Sequence, residues 1–395
     1  MLGNVDMTLI SRILTFVFVA SLLAMSPNVA DAGRHCGADG CGGGGGGGKP
    51  DKGGDDGGDP PPPPPPATST GDPTYSWMHP DVGLAFDDGF NGGGLDLTPD
   101  SHMITVDNFS SNILRGSLQD GRRLRKTHGE WTYLQSQLVA PGASHDWISN
   151  NTSVGSIADH YDLSNGKLNV VNLSFGLIDP ATTPYPFQEN EDGSPKLDES
   201  GDPIPYTLGN EFWDSIVDGA HAGTAVFVKA PGNLNGGTPD STFNDLIYGS
   251  VKDFLNIELN DAKGAIFVGA LDGHAVDGTT SLANYSAIAG DYFDQFVVVG
   301  VRDDITSLPG TSFAAPIVTG YAAILGQKFT TATPEQVVDQ LIHTAQADNL
   351  SEFGVGDDCA AVGTKMNSCD YSFTYGAGEA SLSTALAPQS IPSSQ

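Results

Sequence analysis

The stretch GTSFAAPIVTG, residues 310–320, carries a serine at the point where a loop meets a long apolar run. This run predicts a buried helix from 313 to 325. Pro316 fits such a helix because its missing N–H falls in the first turn, where it would be unpaired. Ser312 would lie at the helix N-terminus, where unpaired backbone N–H groups and the helix dipole favour developing negative charge. Ser312 is therefore a candidate nucleophile.

Short apolar runs rich in β-branched residues recur before this stretch, at 103–106, 168–173, 225–228, 265–268 and 296–301. Their near-continuous apolarity is typical of strands buried on both faces of a parallel sheet. Helical patterns alternate with them, at 129–139, 210–222 and 334–347. The last has Thr333 as its N-cap and Pro334 at the first helical position. The alternation predicts an α/β domain.

The segment GTSFAAPIVTG resembles the serine signature of the subtilase family of serine peptidases. A lipase-type nucleophile elbow would instead have glycine two residues after the serine, where this chain has Ala314. His128-Gly129 is similar to the family's histidine block, although Glu130 stands where threonine is usual. The resemblance implies that Ser312 is the nucleophile and His128 its general base.

The family's chain order of Asp, His and Ser implies a carboxylate at the end of a buried strand before the histidine. Asp107 follows the apolar run 103–106 and fits this place. Asn108-Phe109 follows it, where Ser/Thr-Gly is more usual. Two alternatives stay open: Asp107 is an ordinary strand-end residue that caps a turn, or Asp96 takes the role.

Further segments extend the resemblance over roughly residues 103–388. The segment 229–233 is similar to the family's alanine-glycine-asparagine stretch, which makes Asn233 the expected oxyanion donor beside the Ser312 backbone N–H. Segment 170–176 resembles the edge strand that binds the substrate backbone by strand addition. The expected substrate-binding residues are Ser174, Phe175, Gly176, Ala230 and Gly232.

The resemblance implies a three-layer α/β/α fold with a mostly parallel central sheet, and a secreted serine endopeptidase acting on protein or peptide substrates. No cofactor and no metal ligand is expected for the chemistry. Structural calcium is left open, through Glu191, Asp192, Asp198 or Asp202 in the acidic insertion 190–205. The alternatives are a peptide-binding protein that kept the fold with little or no turnover, and an acid-active sedolisin, against which His128 argues.

The amino-acid composition limits the classes of partner that the protein is expected to bind. The 395 residues carry 17 Lys+Arg against 48 Asp+Glu, a net charge of −31. A polyanion would be repelled, so neither nucleic acid nor an anionic membrane surface is expected to bind. The basic cluster Arg122, Arg123, Arg125 and Lys126 is more typical of a solvated surface than of a ligand site. The oligomeric state is not predicted.

The N-terminal part predicts export. An apolar segment at 13–25 is too short to span a bilayer, and Ala30-Asp31-Ala32 supplies small residues before Gly33. We therefore predict a signal peptide at 1–32, a Gly-rich and Pro-rich linker at 33–72, a peptidase domain at 73–390 and a tail at 391–395. A retained membrane anchor is the alternative reading of 13–25.

The four cysteines of an exported chain predict two local disulfides, Cys36–Cys41 and Cys359–Cys369. The segment 72–100 is too short for the folded propeptide of many secreted subtilases. Either the protein matures without one, or this segment covers the site.

Overall fold

The structure is a computed structural model that describes residues 70–94, 100–150, 155–176, 197, 211–233, 241–242, 251–351, 371–388 and 391. All of them belong to one compact unit, Pro63–Gln395. The predicted signal peptide, nearly all of the linker and of the acidic insertion, Asp96, and all four cysteines lie outside the described residues. Within the described ranges, no helix is both long and apolar enough to cross a membrane.

In the described part of the chain, ten strands form three sheets. In chain order they are β1 (Ser101–Asp107), β2 (Ile113–Gln119), β3 (Arg122–Thr127), β4 (Ser144–Ser149), β5 (Leu168–Leu173), β6 (Val226–Lys229), β7 (Ser241–Thr242), β8 (Val251–Lys252), β9 (Ala265–Leu271) and β10 (Phe296–Gly300). The central sheet has the order β10-β9-β6-β5-β1-β4, and all its neighbours pair in parallel. The strands β2 and β3 form an antiparallel hairpin, and β7 and β8 pair in antiparallel.

The α-helices are α1 (Pro80–Asp87), α2 (His128–Val139), α3 (Ile157–His160), α4 (Glu211–Ala222), α5 (Phe254–Leu259), α6 (Asp303–Thr306), α7 (Ala315–Lys328), α8 (Pro334–His343), α9 (Tyr371–Tyr375) and α10 (Leu382–Leu386). Three short 3₁₀ helices cover Ala275–Asp277, Gly290–Gln295 and Thr311–Phe313.

Helices cover both faces of the central sheet, and two apolar cores result. Successive strand residues point to opposite faces, so that Val170 of β5 belongs to one core and Val171 to the other. The first core includes α7, which packs against β1, β5 and β6. The second includes the apolar residues of α4 and α5. The predicted α/β class with a mostly parallel sheet and helices on both sides is therefore confirmed.

The position of β5 differs from the prediction. The segment 170–176 was expected at an edge of the sheet, but β5 pairs with β1 on one side and β6 on the other. Only the residues after Leu173 extend beyond the sheet. The expectation was wrong because buried parallel strands read alike wherever they lie in a sheet, so that an apolar run does not report its neighbours.

Two helices have ends that the local sequence does not predict, the C-terminus of α8 and the N-terminus of α7. The predicted helix 334–347 ends at His343, because Gln346 forms backbone hydrogen bonds in both directions with Glu379. Residues 311–313 form a 3₁₀ turn, and α7 itself begins at Ala315.

The segment before β1 is part of the domain. Val82 and Phe86 of α1 are buried in the first core, and α1 packs against α10 near the other end of the chain. Residues 79–87 therefore serve packing and do not act as a cover for a site.

Gly320 allows α2 and α7 to pack closely, because a Cβ there would lie 2.4 Å from Val139 Cγ1. We expect Gly320→Ala to lower the free energy of unfolding by about 1–2 kcal/mol, since the overpacking outweighs the better helix propensity of alanine. Urea unfolding measures this. In the Val139→Gly background, which removes both Cγ1 and the Cβ that would lie 2.6 Å away, the same change should cost much less, and an equal loss in both backgrounds would contradict this packing.

Candidate active site

The carboxyl ends of the parallel strands converge on a cleft of about 390 Å³. Asp107 is the last residue of β1, Ser174 follows β5, and Asn233 lies just beyond β6. His128 is the first residue of α2, and Ser312 lies in the 3₁₀ turn before α7. The cleft is lined by Asp107, Asn108, Asn112, Leu114, His128, Asn150, Ser174, Phe175, Asn233, Pro309, Ser312 and Phe313.

A buried carboxylate orients the histidine. His128 Nδ1 lies 2.8 Å from Asp107 Oδ1 and 3.0 Å from Oδ2. Asp107 is only 1% exposed, and its oxygens also accept hydrogen bonds from the Thr132 hydroxyl at 2.9 Å and the Asn108 N–H at 2.6 Å. These donors hold the carboxylate in place, so that it fixes the proton of His128 on Nδ1 and leaves Nε2 as an acceptor.

Glu130, the departure from the family's histidine block, closes the N-terminus of α2. The Thr127 N–H donates to Glu130 Oε2 at 2.7 Å, while the Glu130 N–H donates to Thr127 Oγ1 at 3.2 Å. This capping box satisfies two backbone donors and defines where the helix begins. His128 is thereby held at the first helical position.

Ser312 and Ser174 are joined by a reciprocal pair of hydrogen bonds. The Ser312 hydroxyl donates to the Ser174 carbonyl at 3.0 Å, and the Ser174 hydroxyl donates to the Ser312 carbonyl, also at 3.0 Å. The Ser312 proton thus points to β5 and not to His128. The Phe313 ring packs beside His128, with 5.5 Å between the ring centroids.

Asn233 is anchored through its oxygen. Asn233 Oδ1 accepts the Thr311 N–H at 2.9 Å, one residue before Ser312. This bond assigns the amide orientation and leaves Nδ2 as the donor side. Gly310 has φ +127°, and a Cβ there would lie 3.3 Å from Asn233 Nδ2, so glycine is needed for both the backbone and the space beside the amide.

Of the residues expected to bind substrate, Ser174 and Phe175 line the cleft, whereas Gly176, Ala230 and Gly232 do not. Ala230 is buried, and its N–H donates to the Leu173 carbonyl at 3.0 Å. The Gly232 carbonyl accepts the Ala287 N–H at 3.2 Å. These backbone bonds hold the segment beyond β6 against its neighbours.

Sequence reasoning missed a buried lysine behind the cleft. Lys229, the last residue of β6, has a fully buried side chain whose Nζ donates to the carbonyls of Phe175 and Ala230, both at 2.6 Å. Asp253 Oδ2 lies 3.6 Å from the same Nζ. Burial lowers the pKa of Lys229, and the Asp253 carboxylate opposes this shift. The signal available in the sequence was a lysine that directly follows an apolar run.

Two other histidines, His221 and His274, do not line the cleft. His221 is exposed and bonds the Glu258 carbonyl through Nε2 at 2.8 Å, whereas His274 is buried. The basic residues 122–126 lie on β3, where Arg122 and Arg123 are exposed and Lys126 is half-buried.

An Asp–His pair beside a serine, at the ends of parallel strands, is the arrangement found in serine hydrolases of the α/β class. The sequence model of the subtilase family, peptidase family S8, matches residues 135–378. The chain therefore belongs to the subtilase family of serine peptidases. Ser312 and Asn233 lie inside the matched stretch, whereas Asp107 and His128 precede it.

Solved structures with a similar fold are proteases. The prenylagaramide maturation protease PagA is 15% identical at a TM-score of 0.44, over 78% of this chain and 98% of its own. The serine protease of Aeromonas sobria is 16% identical with a TM-score of 0.44, and the match covers 78% of this chain and 63% of that protease. MycP1 from the ESX-1 type VII secretion system is 16% identical with a TM-score of 0.40, and the match covers 78% of this chain and 83% of MycP1. None of the curated proteins matches. These scores are low, and the assignment rests on the family match.

We expect Asp253→Asn to lower the free energy of unfolding by about 3–5 kcal/mol, because it leaves the buried Lys229 cation without its counter-charge. Asparagine is as good an N-cap as aspartate, so the cap on α5 is retained. Urea unfolding of the purified chain measures the loss. Adding Lys229→Met should restore much of the stability, and a loss that is the same with methionine at 229 would show that the ion pair is not its cause.

Proposed function

We propose that this subtilase is an endopeptidase in which Ser312, His128 and Asp107 form the catalytic triad. The observation that carries the proposal is the buried Asp107–His128 pair, whose bond lengths are 2.8 and 3.0 Å, in the same cleft as Ser312. Such a pair leaves a neutral imidazole nitrogen ready to accept the proton of a nearby hydroxyl. Every group that this chemistry uses is supplied by the chain.

The first step requires a side-chain rotation at Ser312. Its hydroxyl, which donates to the Ser174 carbonyl, turns toward His128 Nε2 when a substrate enters. Catalytic hydrogen bonds often form only in the substrate complex, so the starting geometry is compatible with this role. Ser312 Oγ then attacks the peptide carbonyl carbon while its proton passes to His128.

The tetrahedral intermediate collapses when His128 returns the proton to the leaving amine, which breaks the peptide C–N bond and leaves an acyl group on Ser312 Oγ. Water then attacks the ester carbonyl carbon while His128 takes its proton. The second tetrahedral intermediate collapses as His128 returns the proton to Ser312 Oγ, which breaks the acyl C–Oγ bond and releases the carboxylic acid. Asp107 stays ionised throughout and stabilises the imidazolium through its hydrogen bond.

Asn233 is proposed as the side-chain donor to the oxyanion, together with the Ser312 backbone N–H. The Thr311 N–H occupies Oδ1, so Nδ2 is the group available to the substrate oxygen. Removing one such donor costs about 2.7–4 kcal/mol of transition-state stabilisation in a related enzyme. Because the donor acts on charge that develops in the transition state, its loss should lower kcat more than it raises KM.

The substrate chain is proposed to lie along Ser174 and Phe175, the two predicted substrate-binding residues that line the cleft. An extended peptide can add to such a segment by backbone hydrogen bonds, with its side chains alternating between pockets. The Lys229 ammonium supports this wall from behind through the Phe175 carbonyl.

A peptide-binding protein without turnover is the second candidate. It is favoured by one observation, the Ser312 hydroxyl that donates to Ser174 and not to His128. The two candidates differ in whether the hydroxyl can become a nucleophile.

We further propose that the protein is exported, on the strength of the apolar segment 13–25 and the small residues Ala30-Asp31-Ala32. Export would also provide the oxidising compartment in which the predicted cysteine pairs could form.

A fluorophosphonate should label Ser312, since it reacts with an activated serine hydroxyl. We expect Ser312→Ala to abolish labelling and His128→Ala to lower the peptidase rate by about 10⁴-fold or more. Mass spectrometry of the labelled peptide and casein hydrolysis measure the two effects. Ser174→Ala is the matched control, because it keeps the carbonyl that Ser312 contacts and should retain labelling.

Asn233→Ala should be labelled more slowly and lose about 10²–10³-fold in kcat, which separates an oxyanion donor from the nucleophile. A folded wild-type protein that hydrolyses no better than Ser312→Ala, yet binds peptides, would favour the second candidate and contradict the enzyme.

The exported protein should begin at Gly33. N-terminal sequencing of protein recovered outside the producing cells tests this. Replacing Ala30 and Ala32 with bulky residues should block cleavage, because the processing site needs small side chains. A mature protein that retains 1–32 would contradict the predicted signal and favour a retained anchor.

A further inference from the structure

Three buried side chains from distant parts of the chain meet away from the active-site cleft. His79 immediately precedes α1, His274 follows β9, and Glu379 pairs with the central sheet through a backbone bridge to Val298 of β10. They are 6%, 4% and 5% exposed. One ligand-type atom from each lies within 4.8 Å of the others.

Two of the three side chains, His274 and Glu379, each have a buried acceptor atom in this cluster. His274 Nε2 lies 3.1 Å from the Trp77 carbonyl, which can only accept, so Nε2 carries the proton and Nδ1 carries a lone pair. Glu379 Oε2 accepts the Ala275 N–H at 3.1 Å. Among the described residues, His274 Nδ1 and Glu379 Oε1 have no hydrogen-bond partner.

The two unpartnered acceptors face each other at 3.9 Å. A separation of 3.9 Å is too long for a hydrogen bond in which the two atoms share a proton. Leaving both acceptors buried and empty is costly. The His274 Nδ1 lone pair is the kind of imidazole acceptor that binds metal ions.

We propose that His79, His274 and Glu379 form a site for a divalent transition-metal ion, Zn²⁺ in particular. Two imidazole nitrogens and one carboxylate oxygen are a ligand set that Zn²⁺ accepts, whereas Ca²⁺ prefers six or more oxygens. Zinc ligands lie about 2.0–2.2 Å from the metal, so side-chain shifts of less than an ångström would bring all three atoms into range.

The surroundings also resemble those of a metal site. A metal-bound histidine usually donates its other N–H to a carbonyl or carboxylate, as His274 does to Trp77. His79 Nδ1 accepts the Asp81 backbone N–H at 3.1 Å, which leaves Nε2 for the ion, so metal binding would move the proton of this histidine from Nε2 to Nδ1, where Asp81 Oδ1 lies 3.5 Å away. Gly300 keeps space beside His274, because a Cβ there would lie 2.3 Å from Nδ1.

The site is structural in this proposal. None of its three residues lines the cleft, and Asp81, two residues after His79, accepts hydrogen bonds from Ser381 and Ser383 at the start of α10. A bound ion would therefore tie the segment at α1 to β9, β10 and the chain that leads into α10.

The test uses the full chain in a Ser312→Ala background, so that autolysis does not interfere. Chelator-treated protein is dialysed against Zn²⁺ and its metal content is determined by mass spectrometry. We expect one Zn²⁺ per chain at this site, a rise in Tm with Zn²⁺ but not with Ca²⁺, and the visible absorption of a nitrogen-ligated ion when Co²⁺ replaces Zn²⁺.

Two variants probe the ligands without breaking the fold. His274→Gln keeps a donor for the Trp77 carbonyl but removes the Nδ1 lone pair, and should weaken Zn²⁺ binding by at least about 100-fold. Glu379→Gln places an N–H donor opposite His274 Nδ1, so it should raise the Tm of the metal-free protein while abolishing the Zn²⁺ response. His221→Ala, an exposed histidine outside the cluster, should change neither.

Metal content distinguishes the outcomes. If the parent chain and His274→Gln bind the same amount of Zn²⁺ with the same affinity, the site is not used and the proposal is overturned. A Tm that rises with Ca²⁺ and not with Zn²⁺ would also overturn it. None of these measurements depends on peptidase activity, so the result is independent of the proposed function.

Discussion

The common direction of the six central strands is the constraint on which the rest of the structure depends. Because β4, β1, β5, β6, β9 and β10 all run in parallel, their carboxyl ends meet at one edge of the sheet. Asp107 lies at the end of β1 and Ser174 just after β5, so residues far apart in the chain share one cleft. A slip of one residue in the β1–β5 pairing would turn Asp107 to the other face.

Buried polar groups in this molecule differ in whether they have hydrogen-bond partners. Asp107 and Lys229 are each surrounded by partners of opposite kind, so that their charges are compensated in place. His274 and Glu379 instead face each other with two acceptors. The first arrangement fixes the wall of the cleft and the orientation of His128, and the second leaves two facing acceptors that a bound cation could bridge.

Much of the fold was predictable because burial on both faces of a parallel sheet leaves a strong pattern. The strand at 168–173 and the helix at 129–139 were placed within one residue of β5 and α2. Among the elements that were missed, β4 and the β2–β3 hairpin are partly exposed and lack continuous apolarity, so that their patterns resemble loops. Helix α8 ended early through a contact with Glu379, which no local pattern contains.

By itself the sequence determined the family to which this chain belongs and supplied the candidate residues for its chemistry. The features that carry this chemistry are local: a serine in GTSFAAP, a histidine followed by glycine, and an aspartate after an apolar run. Local features can be recognised from the sequence without knowledge of the fold. Only the tertiary structure decided which atoms meet: the Asp107–His128 bond, the Ser312 hydroxyl on Ser174, Lys229 behind Phe175, and His79 beside His274. These contacts join residues from different strands and helices, and their distances follow from how the elements pack, which no single stretch of sequence encodes.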